Sequence, residues 1–135
     1  MASGFHLTAF DNVVCGGTGV YVDSWEDGHL KTPLPVDAND FIISSICAIG
    51  CTCTAELWHS PNGVDWVQAT DSNGDAISFE CTGGECTCKV LTVSLLQYVK
   101  IRLGNASTPG ACTVKIHYTS AEAAISTSNQ CPTMP

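Results

Sequence analysis

The 135 residues are enough for one domain with a single hydrophobic core, and a second domain would not fit comfortably. Apolar residues make up 44% of the chain and charged residues only 13%, which excludes a disordered chain with too little apolar surface to collapse. Thirteen acidic and five basic residues give a formal charge of -8, so the chain would repel phosphate backbones and anionic lipids. We therefore expect neither nucleic acid nor a membrane among its partners.

Short β-branched or aromatic segments recur about every ten residues between clusters of Gly, Pro, Asn and Asp, which is typical of a sandwich or barrel. Residues 1–18 are small and polar and are predicted to form an N-terminal arm. About eight strands are expected in a domain that spans 19–120, at residues 19–25, 41–49, 52–59, 65–70, 76–81, 87–94, 98–103 and 112–119. Residues 121–135 are predicted to form a C-terminal arm.

The strand predicted at 98–103 shows the clearest alternation of side chains. Val99, Ile101 and Leu103 would face one way, and Lys100 and Arg102 would face the other. The strand at 112–119 alternates in the same manner, so each should bury one face. We predict an all-β fold, an antiparallel β-sandwich of the jelly-roll or immunoglobulin-like type, cross-linked by disulfides.

Nine cysteines are the most prominent feature of the sequence. Two clusters, Cys47-x3-Cys51-x-Cys53 and Cys81-x4-Cys86-x-Cys88, each end in a C-x-C at the start of a predicted strand. Residues i and i+2 of a strand lie about 6.6 Å apart, near the upper limit for a disulfide, so the two cysteines of a C-x-C should bond elsewhere. If the strands after the two clusters were neighbours, bridges between the two C-x-C pairs would become possible. All nine are disulfide candidates: Cys15, Cys47, Cys51, Cys53, Cys81, Cys86, Cys88, Cys112 and Cys131.

Disulfide cross-linking, typically worth about 2–4 kcal/mol per bridge, is the favoured interpretation of these cysteines. The alternative is a zinc or iron–sulfur centre, although the usual C-x2-C pairs are missing. We expect no metal and no cofactor. The odd number predicts a free thiol or an intermolecular bridge, with Cys15 and Cys131 as candidates. Disulfides persist in oxidising surroundings, yet no secretory signal peptide is recognisable. Three explanations are open: a processed or recombinant product, a hyperthermophilic host, or a particle that assembles in the cytosol and oxidises after release, of which the last suits a virion protein best.

Two segments carry residue types that could support chemistry. Residues 71–75 place oxygen ligands at alternate positions, as an EF-hand does, but the later glycine and glutamate of that loop are missing, so we predict a hairpin turn. His59, Ser60 and Asp65 are the residue types of a hydrolytic triad, but three residues of one hairpin rarely reach the required geometry. We predict no catalytic residues and no enzyme activity.

Trp25, Trp58 and Trp66 are candidate ligand-contact aromatics, because exposed rings on a sandwich can stack on sugars. Packing is the favoured alternative, since Trp58 and Trp66 flank one hairpin turn where cross-strand aromatic contacts stabilise the pair.

Three segments carry a resemblance to known proteins. Residues 55–66 read AELWHSPNGVDW, residues 98–103 read YVKIRL, and residues 112–118 read CTVKIHY. A strand that runs into an S-x-D/N-G-x-x-W hairpin, followed by two alternating strands of which the first begins Y-V-R/K, resembles small β-sandwich accessory proteins of tailed bacteriophages. The cysteines depart from that pattern.

The resemblance implies a structural virion protein at the particle surface, a capsid-decoration (cement) or tail-associated protein with no catalytic residues. Its partners would be a major capsid or tail protein and further copies of itself, a homotrimer being favoured. Two alternatives are a carbohydrate-binding β-sandwich module and a subunit of a self-assembling extracellular filament.

Overall fold

The chain folds into β-strands that form two antiparallel sheets. The computed structural model describes residues 5–26, 33–34, 38–84, 86–91 and 95–119. These residues contain nine strands: β1 (Phe5–Val14), β2 (Tyr21–Asp23), β3 (Asn39–Cys47), β4 (Thr52–Ser60), β5 (Val67–Gln68), β6 (Ser78–Thr82), β7 (Cys86–Val90), β8 (Tyr98–Thr108) and β9 (Ala111–Thr119).

The two sheets pack face to face as a sandwich. The four-stranded sheet has the order β1-β9-β3-β7, and the five-stranded sheet has the order β2-β8-β4-β5, with β6 also paired to β4. All pairings between these strands are antiparallel. The predicted antiparallel β-sandwich is therefore confirmed. The described residues contain no helix long and apolar enough to cross a membrane.

The core lies between the inner faces of the two sheets, where the sequence alternation placed it. In β8, Val99, Ile101 and Leu103 are fully buried, while Arg102 between them is half-buried on the outer side. In β9 every second residue from Cys112 to Tyr118 is buried. Both strands thus divide their side chains between a core face and an outer face, as predicted.

The structure differs from the sequence analysis at the N-terminal segment, where residues 5–14 form β1 and not an arm. β1 pairs with β9 along its whole length, but the register shifts between Thr8 and Phe10 and again between Phe10 and Val13. Ala9 and Phe10 are consecutive and both fully buried, and Asn12 has a positive φ of 56°. These irregularities break the period-2 pattern by which a strand is identified from sequence. The predicted C-terminal arm, 121–135, lies outside the described residues.

Two histidines face each other across β1 and β9 and make stability depend on pH. The rings of His6 and His117 are 5.8 Å apart, and Ser44 Oγ lies 2.9 Å from Nε2 of His117. Burial lowers the pKa of both histidines below the ordinary 6.5, and the charge of Lys115 lowers both further. The unfolded chain therefore takes up these protons more readily than the folded one.

The histidine contribution to stability should be complete above about pH 6.5 and should be lost as the pH falls below that value, through the lowered pKa values of the folded state. Urea unfolding at pH 7.5 and at about pH 5 measures the change. The variant His117→Gln should lose less stability between these two pH values than the unaltered chain. Equal losses in both proteins would contradict this assignment.

Candidate functional site

Six buried cysteines lie together between the two sheets, and we call them the sulfur cluster. They are Cys15, Cys47, Cys51, Cys53, Cys81 and Cys112, and all six are free thiols. Cys15 follows β1, Cys47 ends β3 and Cys112 lies in β9, so these three belong to the four-stranded sheet. The other three come from the five-stranded sheet, at the start of β4 and in β6. The cluster therefore joins both sheets.

Strand register brings the cysteines together in pairs. Cys47 lies opposite Cys112 where β3 pairs with β9, and Cys53 lies opposite Cys81 where β4 pairs with β6. Cys51 and Cys53 are both buried while Thr52 between them is exposed, because side chains at i and i+2 of an extended segment share a face. The C-x-C spacing thus directs two sulfurs into the core.

Four of the sulfur atoms converge on one point. The Sγ–Sγ distance is 3.7 Å between Cys15 and Cys51, 3.9 Å between Cys51 and Cys112, and 3.8 Å between Cys112 and Cys53. All four Sγ atoms lie within 4.8 Å of one another. We call these four residues the four-thiol set. No described pair within the set is clearly closer than the others.

A second group of three sulfurs shares Cys53 with the four-thiol set. It consists of Cys47, Cys53 and Cys81, again within 4.8 Å of one another, with 3.9 Å between the sulfurs of Cys47 and Cys53. The buried hydroxyl of Ser45 donates a hydrogen bond to Cys81 Sγ at 3.1 Å. All six sulfurs are therefore connected through Cys53.

The disulfide expectation is not met in the sulfur cluster. A disulfide requires an S–S distance of about 2.05 Å, and the separations of neighbouring sulfurs in the structure are nearly twice that. Bridges between the two C-x-C pairs are also wrong, because β7 pairs with β3 in the four-stranded sheet and not with β4. Cys86 is a free, half-buried thiol outside the cluster. Cys88 is exposed on β7, also outside the cluster, and its sulfur is in a disulfide bond. Cys131 lies outside the described residues.

The surroundings of Cys47 and Cys51 raise their pKa and favour the neutral thiol over the thiolate. The hydrogen bond with Cys112 is the largest cause that raises the pKa of Cys47. Burial, followed by the contact with Cys15, raises the pKa of Cys51. Since the thiolate is the nucleophilic form, these two cysteines are held in their less reactive form.

A second candidate site covers the outside of the five-stranded sheet, and we call it the outer aromatic face. It consists of Tyr21, Trp25, Trp58, Trp66, Lys100 and Arg102. All three tryptophans are half-buried and none belongs to the core, so the structure brings the three predicted aromatic residues to one surface. Lys100 makes a cation–π contact with both Trp58 and Trp66, since its Nζ lies 5.8 Å and 4.7 Å from the centroids of their rings.

Two ion pairs organise the outer aromatic face. Lys100 Nζ lies 2.7 Å from an oxygen of Asp23, whose other oxygen accepts hydrogen bonds from the backbone N–H groups of Trp25 and Glu26. Glu56 accepts a hydrogen bond from Trp58 Nε1, and it lies 3.6 Å from Arg102. The sequence alternation placed Lys100 and Arg102 on the outer face but did not predict their acidic partners, Asp23 and Glu56. The signal for the two cations was the Lys-x-Arg spacing of β8, which places both on the outer face.

The segment with His59, Ser60 and Asp65 and the segment 71–75, whose residue types could support chemistry, both form turns. Ser60 Oγ contacts Asn62 and the N–H of Gly63, whereas His59 Nδ1 accepts a hydrogen bond from the N–H of Leu96, so no serine–histidine pair exists in this hairpin. In the turn 71–75, the carboxylate of Asp71 accepts hydrogen bonds from two backbone N–H groups of the same turn. The predicted hairpin tip is confirmed.

The chain matches no protein-family model, and comparisons with curated proteins and with solved structures found no significant match. The geometry of the sulfur cluster and of the outer aromatic face is therefore the basis for functional inference.

Replacement of Cys53 by Ala should destabilise the protein by about 1–3 kcal/mol, because this sulfur contacts both groups of the cluster and leaves a cavity when removed. Cys86→Ala is the matched control, since Cys86 is partly exposed and outside the cluster. Its effect should stay within about 0.5 kcal/mol. Denaturant unfolding under reducing conditions measures both, and equal losses would contradict the central role of Cys53.

Replacement of Lys100 by Met should cost about 1–3 kcal/mol, because Asp23 would keep its largely buried carboxylate without a cation. Tryptophan fluorescence should also change, since the same ammonium group lies over two indole rings. Lys89→Met on exposed β7 is the control and should leave both properties unchanged. An unaltered emission spectrum in Lys100→Met would contradict the described cation position.

Proposed function

We propose that the chain is a structural virion protein, a capsid-decoration (cement) protein that binds a major capsid or tail protein and catalyses no reaction. The observation that carries this proposal is the placement of the segments that resemble phage accessory proteins. β4 leads directly into the hairpin at 60–66, and β8 lies beside β4 with Ser60 opposite Tyr98. Two of the three resembling segments therefore form one structural unit, and the third is β9.

The hairpin motif owes its residue types to the geometry of the turn. Ser60 Oγ accepts the N–H groups of Asn62 and Gly63, and Asn62 Oδ1 accepts those of Val64 and Asp65. Gly63 has a φ of 76°, and a side chain there would lie 3.2 Å from the ring of Trp25. The Ser, Asn and Gly positions of the motif are therefore each used to build the turn, and we expect the same turn in the β-sandwich proteins that the chain resembles.

The hairpin also offers a surface for a partner. Val64 and Val67 are 77% and 55% exposed, and they flank the half-buried Trp66. Exposed apolar side chains beside an aromatic ring are typical of the centre of a protein–protein contact. We propose that this tip of the outer aromatic face docks on the particle, and that symmetric copies, a trimer being favoured, bind together.

Purified particles provide the test. Quantitative mass spectrometry of particles from the source culture should find the chain at a fixed ratio to the major capsid protein, and immunogold labelling should place it at the surface. The double variant Val64→Glu, Val67→Glu should bind depleted particles at least about tenfold more weakly. Ser72→Glu in the exposed turn 71–75 is the control and should bind normally. A chain that is absent from the particles would refute the proposal.

A carbohydrate-binding module is the second candidate, because three tryptophans share one face with hydrogen-bonding carboxylates. A glycan array with the unaltered chain, Trp58→Ala and Trp66→Ala separates the two. Glycan binding that both variants lose, without any association with particles, would favour the second candidate. Particle association without glycan binding would favour the first.

A further inference from the structure

We propose that the four-thiol set, Cys15, Cys51, Cys53 and Cys112, is a binding site for a single tetrahedrally coordinated divalent metal ion, for which zinc is the best match. This inference goes beyond the proposed function and is independent of it. Each proposal can fail without the other. If the chain decorates particles but binds no metal, only the metal site is refuted; if it binds metal but never joins a particle, only the proposed function is refuted.

The separations of the sulfurs fit one ion. Four sulfurs that each lie about 2.3 Å from a central zinc ion are about 3.8 Å from one another, because that is the edge of the corresponding tetrahedron. The three distances 3.7, 3.9 and 3.8 Å between neighbouring members of the set match this edge. The remaining pairs lie within 4.8 Å. Only small side-chain rotations would complete the tetrahedron.

The same distances argue against paired disulfides. Cys51 has two sulfur neighbours at nearly equal distance, Cys15 and Cys112, and Cys112 has two as well. Two disulfides would require each sulfur to pair with one neighbour and to move almost 2 Å closer to it. In the structure the four sulfurs surround a common centre and form no such pairs, and this is the arrangement that a bound ion requires.

The chemistry of the four sulfur ligands and the distances between them limit which metal group the set can bind. Four sulfur ligands select soft metals such as zinc or iron, and they disfavour calcium and magnesium, which take oxygen ligands. An iron–sulfur cluster with several irons spreads its thiolates over separate metal atoms and needs more space than four sulfurs within 4.8 Å provide. A single ion fits the set.

The backbone around the set is suited to a rigid site. The four ligands come from three places in the two sheets, after β1, at the start of β4 and in β9, so an ion would fasten the sheets together at this end. Gly110 packs closely here, since a side chain on it would lie 2.8 Å from Cys51 Cβ. The carbonyl of Gly110 accepts the N–H of Cys15 at 3.1 Å, so it keeps a partner when Cys112 loses its S–H proton.

Binding requires four thiols to lose their protons: Zn²⁺ and four R–SH give a tetrathiolate complex of charge -2 and release four H⁺. This charge is buried and needs hydrogen-bond donors. The thiol of Cys47, 3.9 Å from Cys53 Sγ, can donate to the Cys53 thiolate. Cys47 therefore acts as a supporting neighbour and not as a ligand in this arrangement.

Metal analysis of the intact chain tests the proposal. Protein expressed with added zinc and purified under reducing conditions without chelators should contain one zinc, or one iron, per chain. Exchange for Co²⁺ should give the visible absorption of a tetrahedral cobalt thiolate with its charge-transfer band. Titration with a mercurial that attacks thiolates should release the ion as four thiols react. These readouts use the unaltered protein, so they do not depend on the folding of a variant.

Variants identify the ligands. Cys112→Ser and Cys51→Ser should each weaken metal binding by at least about tenfold, whereas Cys86→Ser should bind as the unaltered chain does. The proposal is overturned if the reduced chain binds no metal, if Cys112→Ser retains full affinity, or if mapping of protein purified without reductant and without air finds disulfides among the four residues.

Discussion

The contact of six sulfur atoms between two sheets is the constraint on which the rest of the sandwich depends. Three of these cysteines belong to each sheet, so their contact fixes the distance and alignment of the sheets at one end. Close backbone approach makes this possible: a side chain on Gly83 would lie 2.0 Å from the carbonyl oxygen of Ala48, and one on Gly110 would contact Cys51. The glycines of the loops and the cysteines of the strands therefore specify the same packing.

β4 carries part of each candidate site, one on each face of its sheet, and β8 lies beside it. The inner face of β4 holds Cys53 and, further along, Leu57 opposite Ile101, whereas the outer face holds Trp58 beside Lys100. Because the register pairs Trp58 with Lys100, the inner and outer layers cannot shift independently. A slip by one residue would expose the core and dismantle the outer aromatic face together.

Sequence alternation was sufficient to predict the sandwich and most of its strands, since β9 buries every second residue and β4 does so from Cys53 to Leu57. In β8 the alternating Val99, Ile101 and Leu103 are buried, and Lys100 between them is covered as well. It failed for β1, whose bulges place Ala9 and Phe10 both in the core. The cysteine arrangement could not be predicted because it depends on which strands share a sheet: β7 is paired to β3, while the four-thiol set is built from residues at the ends of β1, β4 and β9. The ion pair of Lys100 with Asp23 depends likewise on β2 lying beside β8, which no local pattern reveals.

The sulfur cluster and the hairpin at 60–66 lie at opposite ends of β4, and this separation allows them different roles. Cys53 and Ser60 are seven residues apart, or roughly 23 Å at about 3.3 Å per residue, so a partner docked on the hairpin would not touch the sulfur cluster. Recognition at the hairpin can therefore vary without disturbing the cluster. The cluster in turn can hold the sheets together, as thiols or around an ion, without shaping the surface that a partner meets. Such a division suits the mechanical role that we propose for the chain.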